Sequence, residues 1–498
     1  MANLIGVSNM LLGVDLGTST LKIALYDYES KNIVILIKEN IDTLSPRPDI
    51  AEQNPNEWWQ KFIIGIRRIR AMGYDLEEIE GIGVVSQREG IVLMDRYGKN
   101  LTNCITWMDR RSEKQVETIK NTIDEKEIYY RTGLRVSAGF TATKLLWFKE
   151  NMPQVLERAS SYLQPKDYIV FRLTDTYITD FSLASRTLLF DIHKLKWINE
   201  FFEELELQNK FPKVYWSNEV VGETTSTVQR TAGIPKGIPV VAGGGDRQGE
   251  NLGCCKARSD SVAISLGTAI NLNVSLTKPY IDSEMRSTTS IHLLKNRWLL
   301  ELGLSSGTLL IKWFVDNFAK DLGDEAYNIL TQKAYEIPDG SEGLYVFPFL
   351  IGARAPWWRS GIRAGIINLS QGHNRFHIFR AILESLSYNV KAAYETIRNA
   401  SNNIKNIYVM GGGAENDLWL KILSNTLNHQ IKALQIENAG VLAAASLYLI
   451  KNPNYLQKVL PETVVKKIYI PDKYKAHKYN LLYNQYIQKI EKYFIYHS

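Results

Sequence analysis

The same short pattern occurs twice in this chain, near its start and near its middle. Residues 11–26 read LLGVDLGTSTLKIALY and residues 261–274 read SVAISLGTAINLNV, so each segment has apolar stretches on both sides of a Leu-Gly-Thr turn. Apolar, β-branched stretches around a turn of small residues predict a β-hairpin. A hairpin that returns about 250 residues later indicates a chain built from two related halves.

Two glycine triplets follow short apolar strands. Residues 238–250 read IPVVAGGGDRQGE, and residues 406–413 read NIYVMGGG before a helical sequence that opens near Asn416. The order strand, glycine turn and helix is typical of an α/β fold. Apolar spacing at i, i+3 and i+4 predicts further amphipathic helices over residues 56–72, 142–151, 307–318, 375–398 and 440–450.

The length of 498 residues exceeds what one hydrophobic core supports, so two domains are expected, over residues 1–252 and 253–498. The net charge of +6 is small and the Lys and Arg residues are scattered, which argues against nucleic-acid binding. No apolar run is long enough to span a membrane, and we expect a soluble, cytoplasmic protein. Three cysteines and seven histidines lack metal-ligand spacing, so no transition metal is expected.

The turn that begins at Asp15 is suited to binding phosphate oxygens. Its small residues, Gly17, Thr18 and Ser19, present backbone N–H groups and hydroxyls without bulky side chains in the way. A single copy would also fit an ordinary β-turn with Asp at its edge. The second copy, at Gly267 and Thr268, favours a phosphate site. The sequence contains neither a P-loop nor a dinucleotide-binding glycine pattern.

Nine segments of the chain resemble the FGGY family of carbohydrate kinases, and two of them contain the glycine triplets. This family includes glycerol, xylulose, gluconate and autoinducer kinases. The segments are AEQNPNEWW (51–59), SQREGIVLMD (86–95), ITWMDRRS (105–112), TGLRVSAGFTATKLLW (132–147), PKDYIVFRLTD (165–175), TDFSLASRTLLFDI (179–192), GGGDRQGENLG (243–253), GARAPWW (352–358) and GGGAENDLW (411–419). The resemblance implies an α/β, two-domain, actin- and hexokinase-like (ribonuclease H-like) fold, with ATP and sugar in the cleft between the domains.

The resemblance also implies roles at the nucleotide. Asp246 matches the catalytic base, although an Asp after glycines is also a common helix N-cap, and the two roles are compatible. Asp15 matches the residue that positions Mg²⁺. The residues that match positions around the phosphates and the adenine of ATP are Gly17, Thr18, Ser19, Gly267, Thr268, Gly307, Gly412 and Asn416.

On the substrate side, the resemblance implies contacts from Gln87, Arg88, Glu89, Trp107, Asp109, Asp246 and Arg247. Arg88 beside Glu89 supplies N–H donors and a carboxylate acceptor, which suits vicinal hydroxyls. Taken alone, these residues would equally fit a surface ion pair and a core indole. Arg247 stands where glycerol kinases carry Gln, and a second cation beside Asp246 favours a substrate with a carboxylate or lowers the pKa of the base.

The implied activity is transfer of the γ-phosphoryl group of MgATP to a hydroxyl of an open-chain sugar or polyol. Xylulose is the leading substrate, and glycerol, gluconate and autoinducer precursor are alternatives, because segments of this chain resemble different branches of the family. Two alternative hypotheses of a different functional class remain open: a nucleotide-driven switch and a non-catalytic sugar sensor. Related kinases often self-associate, so a homodimer is a further expectation.

Overall fold

The computed structural model describes residues 9–435, 438–450 and 455–495, without the side chains of 494 and 495. The strands of the first half are β1 (Met10–Leu16), β2 (Thr20–Asp27), β3 (Asn32–Asn40), β4 (Glu52–Gln53), β5 (Ile79–Ser86), β6 (Val92–Met94), β7 (Cys104–Ile105), β8 (Ser161–Leu163), β9 (Thr179–Asp180), β10 (Phe190–Asp191), β11 (Lys196–Trp197), β12 (Val214–Tyr215), β13 (Val220–Glu223), β14 (Pro239–Val241) and β15 (Gly244–Gly245). Its helices are α1 (Pro55–Ala71), α2 (Glu113–Thr122), α3 (Glu125–Thr132), α4 (Thr141–Asn151), α5 (Pro153–Arg158), α6 (Pro165–Thr174), α7 (Phe181–Ala184), α8 (Asn199–Glu204), α9 (Ser226–Ala232) and α10 (Asp246–Cys255).

The second half has its own strands and helices. The strands are β16 (Ser261–Leu266), β17 (Ile270–Leu276), β18 (Thr288–Ile291), β19 (Trp298–Leu304), β20 (Tyr345–Phe347), β21 (Gly365–Ile367), β22 (Asn406–Met410), β23 (Ile431–Leu434) and β24 (Val465–Tyr469). The helices are α11 (Thr308–Phe318), α12 (Ala326–Glu336), α13 (Arg375–Ala400), α14 (Asp417–Leu427), α15 (Ala439–Ser446), α16 (Leu456–Val459) and α17 (Lys473–Ile490).

Each half contains a seven-stranded mixed sheet, and six strands of each sheet share one topology. The first sheet has the order β13-β14-β5-β1-β2-β3, with β15 also paired to β5, and the second has the order β18-β19-β17-β16-β22-β23-β24. In both, an antiparallel hairpin (β1 with β2, β16 with β17) is joined to a parallel strand, β5 or β22. This duplication confirms the two-domain α/β fold that the repeated hairpin predicted.

The local predictions agree with the structure apart from helix ends. Both Gly-Thr turns join antiparallel strands, and both glycine triplets lie between a strand and a helix. The helix predicted over residues 440–450 ends at Ser446, while the one predicted over residues 375–398 continues to Ala400. Residues 447–450 are still largely apolar, so their apolar spacing gave no sign that the helix stops.

Helix α15 follows most of the second half in sequence but packs on the first sheet, against β1 and β5, and beside α10. The approach is close because glycine faces it: a Cβ on Gly83 would lie 1.9 Å from the carbonyl oxygen of Ala444, and one on Gly13 would lie 2.3 Å from that of Val441. Helices α1, α6 and α9 lie together in the core on β2, β3, β5 and β14. Helix α10 also contacts β16 and β17, so it lies between the two sheets.

The first half also contains a separate hydrophobic core, which the sequence did not predict. It is formed around residues of α2, α3, α4 and α8, away from the main sheet. Tyr129 of α3 donates a hydrogen bond to the carbonyl of Ser287 (2.8 Å), and the Trp298 indole donates to the carbonyl of Ile192 (3.1 Å). This helical region therefore contacts the edge of the second sheet.

Two further observations concern the expectations from composition. No helix in the described part of the chain is long and apolar enough to cross a lipid bilayer. Cys104, Cys254 and Cys255 are all buried and free of disulfides.

Replacing Gly83 by Ala tests the contact between α15 and the first sheet. Because the added methyl would overlap the Ala444 carbonyl, helix and sheet must separate, and we expect a loss of at least about 1 to 3 kcal/mol of stability. Differential scanning calorimetry would show this as a lower transition temperature. Gly361→Ala is the matched control, since nothing lies within 4 Å of its added Cβ. Equal transition temperatures for the two variants would contradict this packing.

Candidate active site

The turn between β1 and β2 lies beside two residues that were predicted to contact the sugar. The Trp107 indole donates a hydrogen bond to the Thr18 hydroxyl (3.0 Å). Gln53 donates to the Thr18 carbonyl (2.6 Å) and accepts from the amide of Gln87 (2.7 Å). Gly17 closes the turn through its N–H to the carbonyl of Thr20 (3.0 Å). The structure therefore places the first predicted phosphate turn next to part of the predicted sugar site.

The second phosphate turn lies at the start of α11. Gly307 donates its N–H to the carbonyl of Thr268 (2.9 Å), and Thr308 donates to that of Gly267 (2.8 Å). A Cβ on Gly411 would lie 2.9 Å from the Leu266 carbonyl, so the third glycine turn adjoins the end of β16. The predicted nucleotide residues of the second half are thus assembled around one strand end.

Gly412 and Asn416 lie in that third turn in different surroundings. Gly412 is exposed, and no atom of the described residues would lie within 4 Å of an added Cβ, so a ligand has room to approach. Asn416 is buried and caps α14 by accepting from the Trp419 N–H (2.9 Å). Its amide also donates to Tyr327 and Thr331. The Asn416 side chain therefore shapes the turn through protein contacts.

Asp246 is the first residue of α10, the helix that lies between the two sheets. Its side chain is 32% exposed, and one carboxylate oxygen lies 3.5 Å from Nε of Arg88. Burial raises the pKa of Asp246, and the positive charges of Arg88 and Arg247 oppose that rise. A carboxylate at a helix N-terminus is also stabilised by the helix dipole. The geometry leaves Asp246 accessible to a small molecule.

Arg88 links the two halves through a buried ion pair. Its Nη1 and Nη2 lie 2.9 and 3.0 Å from the two carboxylate oxygens of Glu301, a residue of β19 in the second half. Asn271 donates a further hydrogen bond to Glu301 (3.0 Å). Burial alone would raise the pKa of Glu301, but Arg88 and other nearby arginines hold it well below its usual range. Glu301 is therefore ionised at neutral pH.

Glu89 is held by a different arginine, Arg186. The Arg186 Nε lies 2.6 Å from a Glu89 oxygen, and its guanidinium lies over the ring of Phe140, 5.1 Å from the ring centroid. Arg186 is only 5% exposed, yet its Nη1 makes no hydrogen bond within the described residues. Buried donors are normally paired. The side-chain oxygen of buried Gln87 is likewise without a hydrogen-bond partner in the described part of the chain.

Three acids lie near one another at the base of the site. The pKa of Asp15 is raised to about 7, chiefly by burial; Lys22 and Arg247 lower it, and the charges of Asp246 and Glu250 raise it. Glu250 forms an ion pair with Arg247 (2.9 Å), while its second oxygen has no hydrogen-bond partner in the described part of the chain. Neighbouring carboxylates disfavour one another's ionisation, so a nearby cation is needed for all of them to be ionised together.

The acids fit Mg²⁺ better than a transition metal. Asp15 and Glu250 offer hard oxygen donors, and in the described ranges no group of three or more His, Cys, Asp or Glu residues is arranged to hold a metal ion. Mg²⁺ keeps several waters and is commonly bound by one or two carboxylates together with substrate phosphates. The donor set here is of that kind.

Asp109 lies outside this arrangement. It is fully buried, and its oxygens accept hydrogen bonds from the Ala51 N–H (2.7 Å) and from the Arg111 side chain (2.8 to 3.0 Å). With its acceptors occupied by the protein, Asp109 holds the adjoining loop together. The prediction that it contacts substrate gains no support from these surroundings.

Sequence reasoning missed Glu301, Arg186 and Glu250. Glu301 is a single charged residue within the apolar strand WLLELGL, and an isolated charge in a buried strand needs a partner. Glu250 follows Asp246 by four residues on one helix, so the two share a face. Arg186 stands among apolar residues in LASRTLLF. Each therefore left a signal, but none identified its partner.

Comparisons with known proteins point in one direction. The profile of the FGGY family of carbohydrate kinases, N-terminal domain, matches residues 10–253, and that of the C-terminal domain matches residues 262–450. The chain is 28% identical to a gluconokinase and 29% identical to a xylulose kinase, both from Bacillus subtilis, over 89% and 88% of this chain and 88% and 87% of those proteins. A crystal structure titled as a xyloylose kinase from Brucella ovis superposes with a TM-score of 0.89 at 26% identity, covering 97% of this chain and 98% of that one.

Glu301→Gln tests the buried ion pair between the halves. The substitution keeps the shape of the side chain but leaves the Arg88 charge buried without its main partner. We therefore expect the free energy of unfolding to fall by about 3 to 5 kcal/mol. Glu336→Gln is the control, because the Lys333–Glu336 pair is exposed and worth less than about 1 kcal/mol. Thermal unfolding of both variants measures the difference. Equal shifts in melting temperature would show that the buried Arg88–Glu301 pair does not stabilise the protein more than an exposed pair does.

Asp15→Asn tests the charge balance of the acids. The folded-state pKa of Asp15, about 7, lies above its ordinary value of 3.8, so folding takes up a proton between these pH values. The stability of the ligand-free wild type should therefore fall as pH rises through this window, and the Asn variant should lack that part of the loss. We expect its melting temperature relative to wild type to increase from pH 5 to pH 8. A difference independent of pH would refute the raised pKa.

Proposed function

The chain belongs to the FGGY family of carbohydrate kinases and is a phosphotransferase with a sugar hydroxyl as acceptor, and we propose that it transfers the γ-phosphoryl group of MgATP to a hydroxyl of an open-chain sugar or polyol. The observation that carries the proposal is the position of Asp246. It begins the helix between the two sheets, is accessible, and lies 3.5 Å from Arg88.

Asp246 is proposed to act as general base. In phosphoryl transfer the protein mainly positions the reactants and neutralises charge, and a carboxylate accepts the proton of the attacking hydroxyl. The neighbouring Arg88 favours the ionised form that can accept this proton. The partial exposure of Asp246 leaves room for a hydroxyl beside it.

The phosphates of ATP are proposed to lie between the two hairpin turns. Thr18 and Ser19, next to Gly17, offer N–H groups and hydroxyls from the first half, and the Gly267–Thr268 turn offers them from the second. Gly307 packs against the second turn, where an added Cβ would lie 2.4 Å from the Gly267 carbonyl, whereas the open surroundings of Gly412 leave space for the nucleotide. Because each half contributes one turn, closing the cleft would exclude water, which would otherwise compete as acceptor. We propose residues 1–252 as the sugar-binding half and 253–498 as the nucleotide-binding half.

Asp15, with Glu250 nearby, is proposed to hold Mg²⁺. A bound Mg²⁺ supplies positive charge to the β- and γ-phosphate oxygens. In its absence, burial and the neighbouring acids favour protonation of Asp15. Loss of the Asp15 proton is therefore expected to accompany nucleotide and metal binding.

The sugar is proposed to bind against Gln87, Arg88, Glu89, Trp107 and Arg186. The unpaired Gln87 oxygen accepts hydrogen bonds and the unpaired Arg186 nitrogen donates them, so each is suited to a hydroxyl or carbonyl group of a sugar. The Trp107 indole, fixed by Thr18, offers an apolar face to C–H groups. A pocket that leaves one buried donor and one buried acceptor unmet disfavours apolar ligands strongly.

Xylulose is our first candidate substrate, and gluconate is the second. The second has an observation in its favour: Arg354 is exposed, makes no ion pair within the described residues, and has Arg110 and Arg186 near it. Positive groups that crowd together favour an anionic ligand. Arg247, whose side chain is 36% exposed, adds a further cation beside Asp246.

The test is ADP release from MgATP in the presence of xylulose, ribulose, gluconate, glycerol, erythritol or autoinducer precursor. One substrate should raise ADP release, and Asp246→Asn should lower its kcat by at least about 100-fold because the base is lost. Asp316→Asn, a change to an exposed carboxylate, is the control and should leave kcat unchanged.

The other outcomes identify the rival readings. ADP release that needs no sugar and survives Asp246→Asn would indicate a nucleotide-driven switch. Sugar binding without ADP release would indicate a sensor. Turnover of gluconate in preference to xylulose would select the second candidate. A cytoplasmic location, where ATP is available, accompanies the kinase proposal.

A further inference from the structure

A buried group of polar side chains lies directly behind Asp246 and has no part in the reaction described so far. Lys166, Asp180 and Ser182 are each 0% exposed, and they come from α6, from the end of β9 and from α7. We infer that this group, the Lys166–Asp180–Ser182 relay, positions the turn that carries the catalytic base. The inference rests on the proposed function, in which Asp246 is that base.

Ser182 makes the contact with the turn. Its hydroxyl accepts the N–H of Gly245 (3.0 Å), the residue immediately before Asp246. The same hydroxyl donates to an oxygen of Asp180 (2.5 Å). Because the Ser182 proton is directed at Asp180, the lone pairs of the hydroxyl are directed at the Gly245 N–H. The position of that N–H is therefore fixed by the orientation of the Ser182 hydroxyl.

Lys166 holds the carboxylate from the other side. Its ammonium lies 3.2 Å from Asp180 and 2.7 Å from Asp167. Burial would lower the pKa of Lys166, but these two carboxylates raise it above its usual value, so it stays charged. The backbone N–H of Lys166 donates to the hydroxyl of Ser86 (3.0 Å), next to the sugar-binding segment. The relay thus connects the base and the sugar site through buried contacts.

The relay also gives a physical reason for glycine at position 244. A Cβ there would lie 2.7 Å from the Ser182 hydroxyl, 3.1 Å from an Asp180 oxygen and 2.2 Å from Leu293. No larger residue fits without moving the relay away from the backbone. The glycine turn before Asp246 therefore serves close approach of side chains to the main chain.

A purely structural role explains this arrangement less well. Buried ion pairs are costly to desolvate and are often replaced by apolar residues without loss of stability. The relay supplies direction, because Lys166 forms an ion pair with Asp180 and Asp180 is hydrogen-bonded to the Ser182 hydroxyl that accepts the Gly245 N–H. A misplacement of about 1 Å at a reacting group can cost about 100-fold in rate. Ser182 is therefore a positioning residue that acts through Asp246.

The experiment compares Ser182→Ala, Ser182→Thr and Ser217→Ala. Ser217 is the matched control, because it is equally buried and also donates to the same Asp180 oxygen (3.1 Å) but its side chain does not contact the Gly245 N–H. For each variant we would measure kcat, KM for sugar and ATP, the pH dependence of kcat/KM, melting temperature and hydrogen exchange of the Gly245 amide.

Ser182→Ala should lower kcat by about 10- to 100-fold with both KM values nearly unchanged. Its activity should also require higher pH, because an Asp246 displaced from Arg88 has a higher pKa. Ser182→Thr retains the hydroxyl and should recover most of kcat, and Ser217→Ala should stay close to wild type. Exchange of the Gly245 amide should be faster in Ser182→Ala alone.

Equal kcat in Ser182→Ala and Ser217→Ala, or a fall in kcat that follows melting temperature across all variants, would overturn the relay. Failure of the proposed function is distinguishable, since the wild type would then phosphorylate none of the sugars. In that case the Gly245 amide decides: unchanged exchange in Ser182→Ala rejects the relay, and selective acceleration supports the positioning of the turn without the kinase assignment.

Discussion

The buried guanidinium of Arg88 connects the two halves beside Asp246, the proposed catalytic base. It pairs with both oxygens of Glu301 across the cleft and lies 3.5 Å from Asp246. A charge at this depth is tolerated only when its donors are satisfied. The position of the second half therefore affects how strongly the Arg88 charge acts on Asp246. The arrangement of the two halves and the basicity of the Asp246 carboxylate are thus coupled through one side chain.

Sequence patterns predicted what is local in this protein. The hairpins, the glycine turns and most helices follow from the spacing of apolar and small residues over a few positions, which the chain carries with it wherever it folds. The contact of Arg88 with Glu301 joins residues 213 positions apart, and no pattern in either segment specifies the other. The packing of α15 on the first sheet and the separate helical core were missed for the same reason.

The candidate site shows the limit of carrying roles over from a resemblance. Asp246, Arg88 and Glu89 do come together, as the matching motifs implied. Asp109 and Asn416 lie in equally well-matched motifs, yet their polar side-chain atoms are engaged by Arg111 and Ala51, or by Tyr327, Thr331 and Trp419. A motif fixes where a residue lies, whereas its free donors and acceptors decide what it can bind.

The placement of α15 has a consequence for the order in which the protein can be completed during translation. The first sheet and α10 are synthesised early, but the helix that covers β1 and β5 belongs to the last part of the chain. At roughly 5 to 20 residues per second, the apolar surface of that sheet waits on the order of ten seconds or more for its cover. The nascent first half is thus an incomplete domain that must avoid aggregation until nearly the whole chain has emerged.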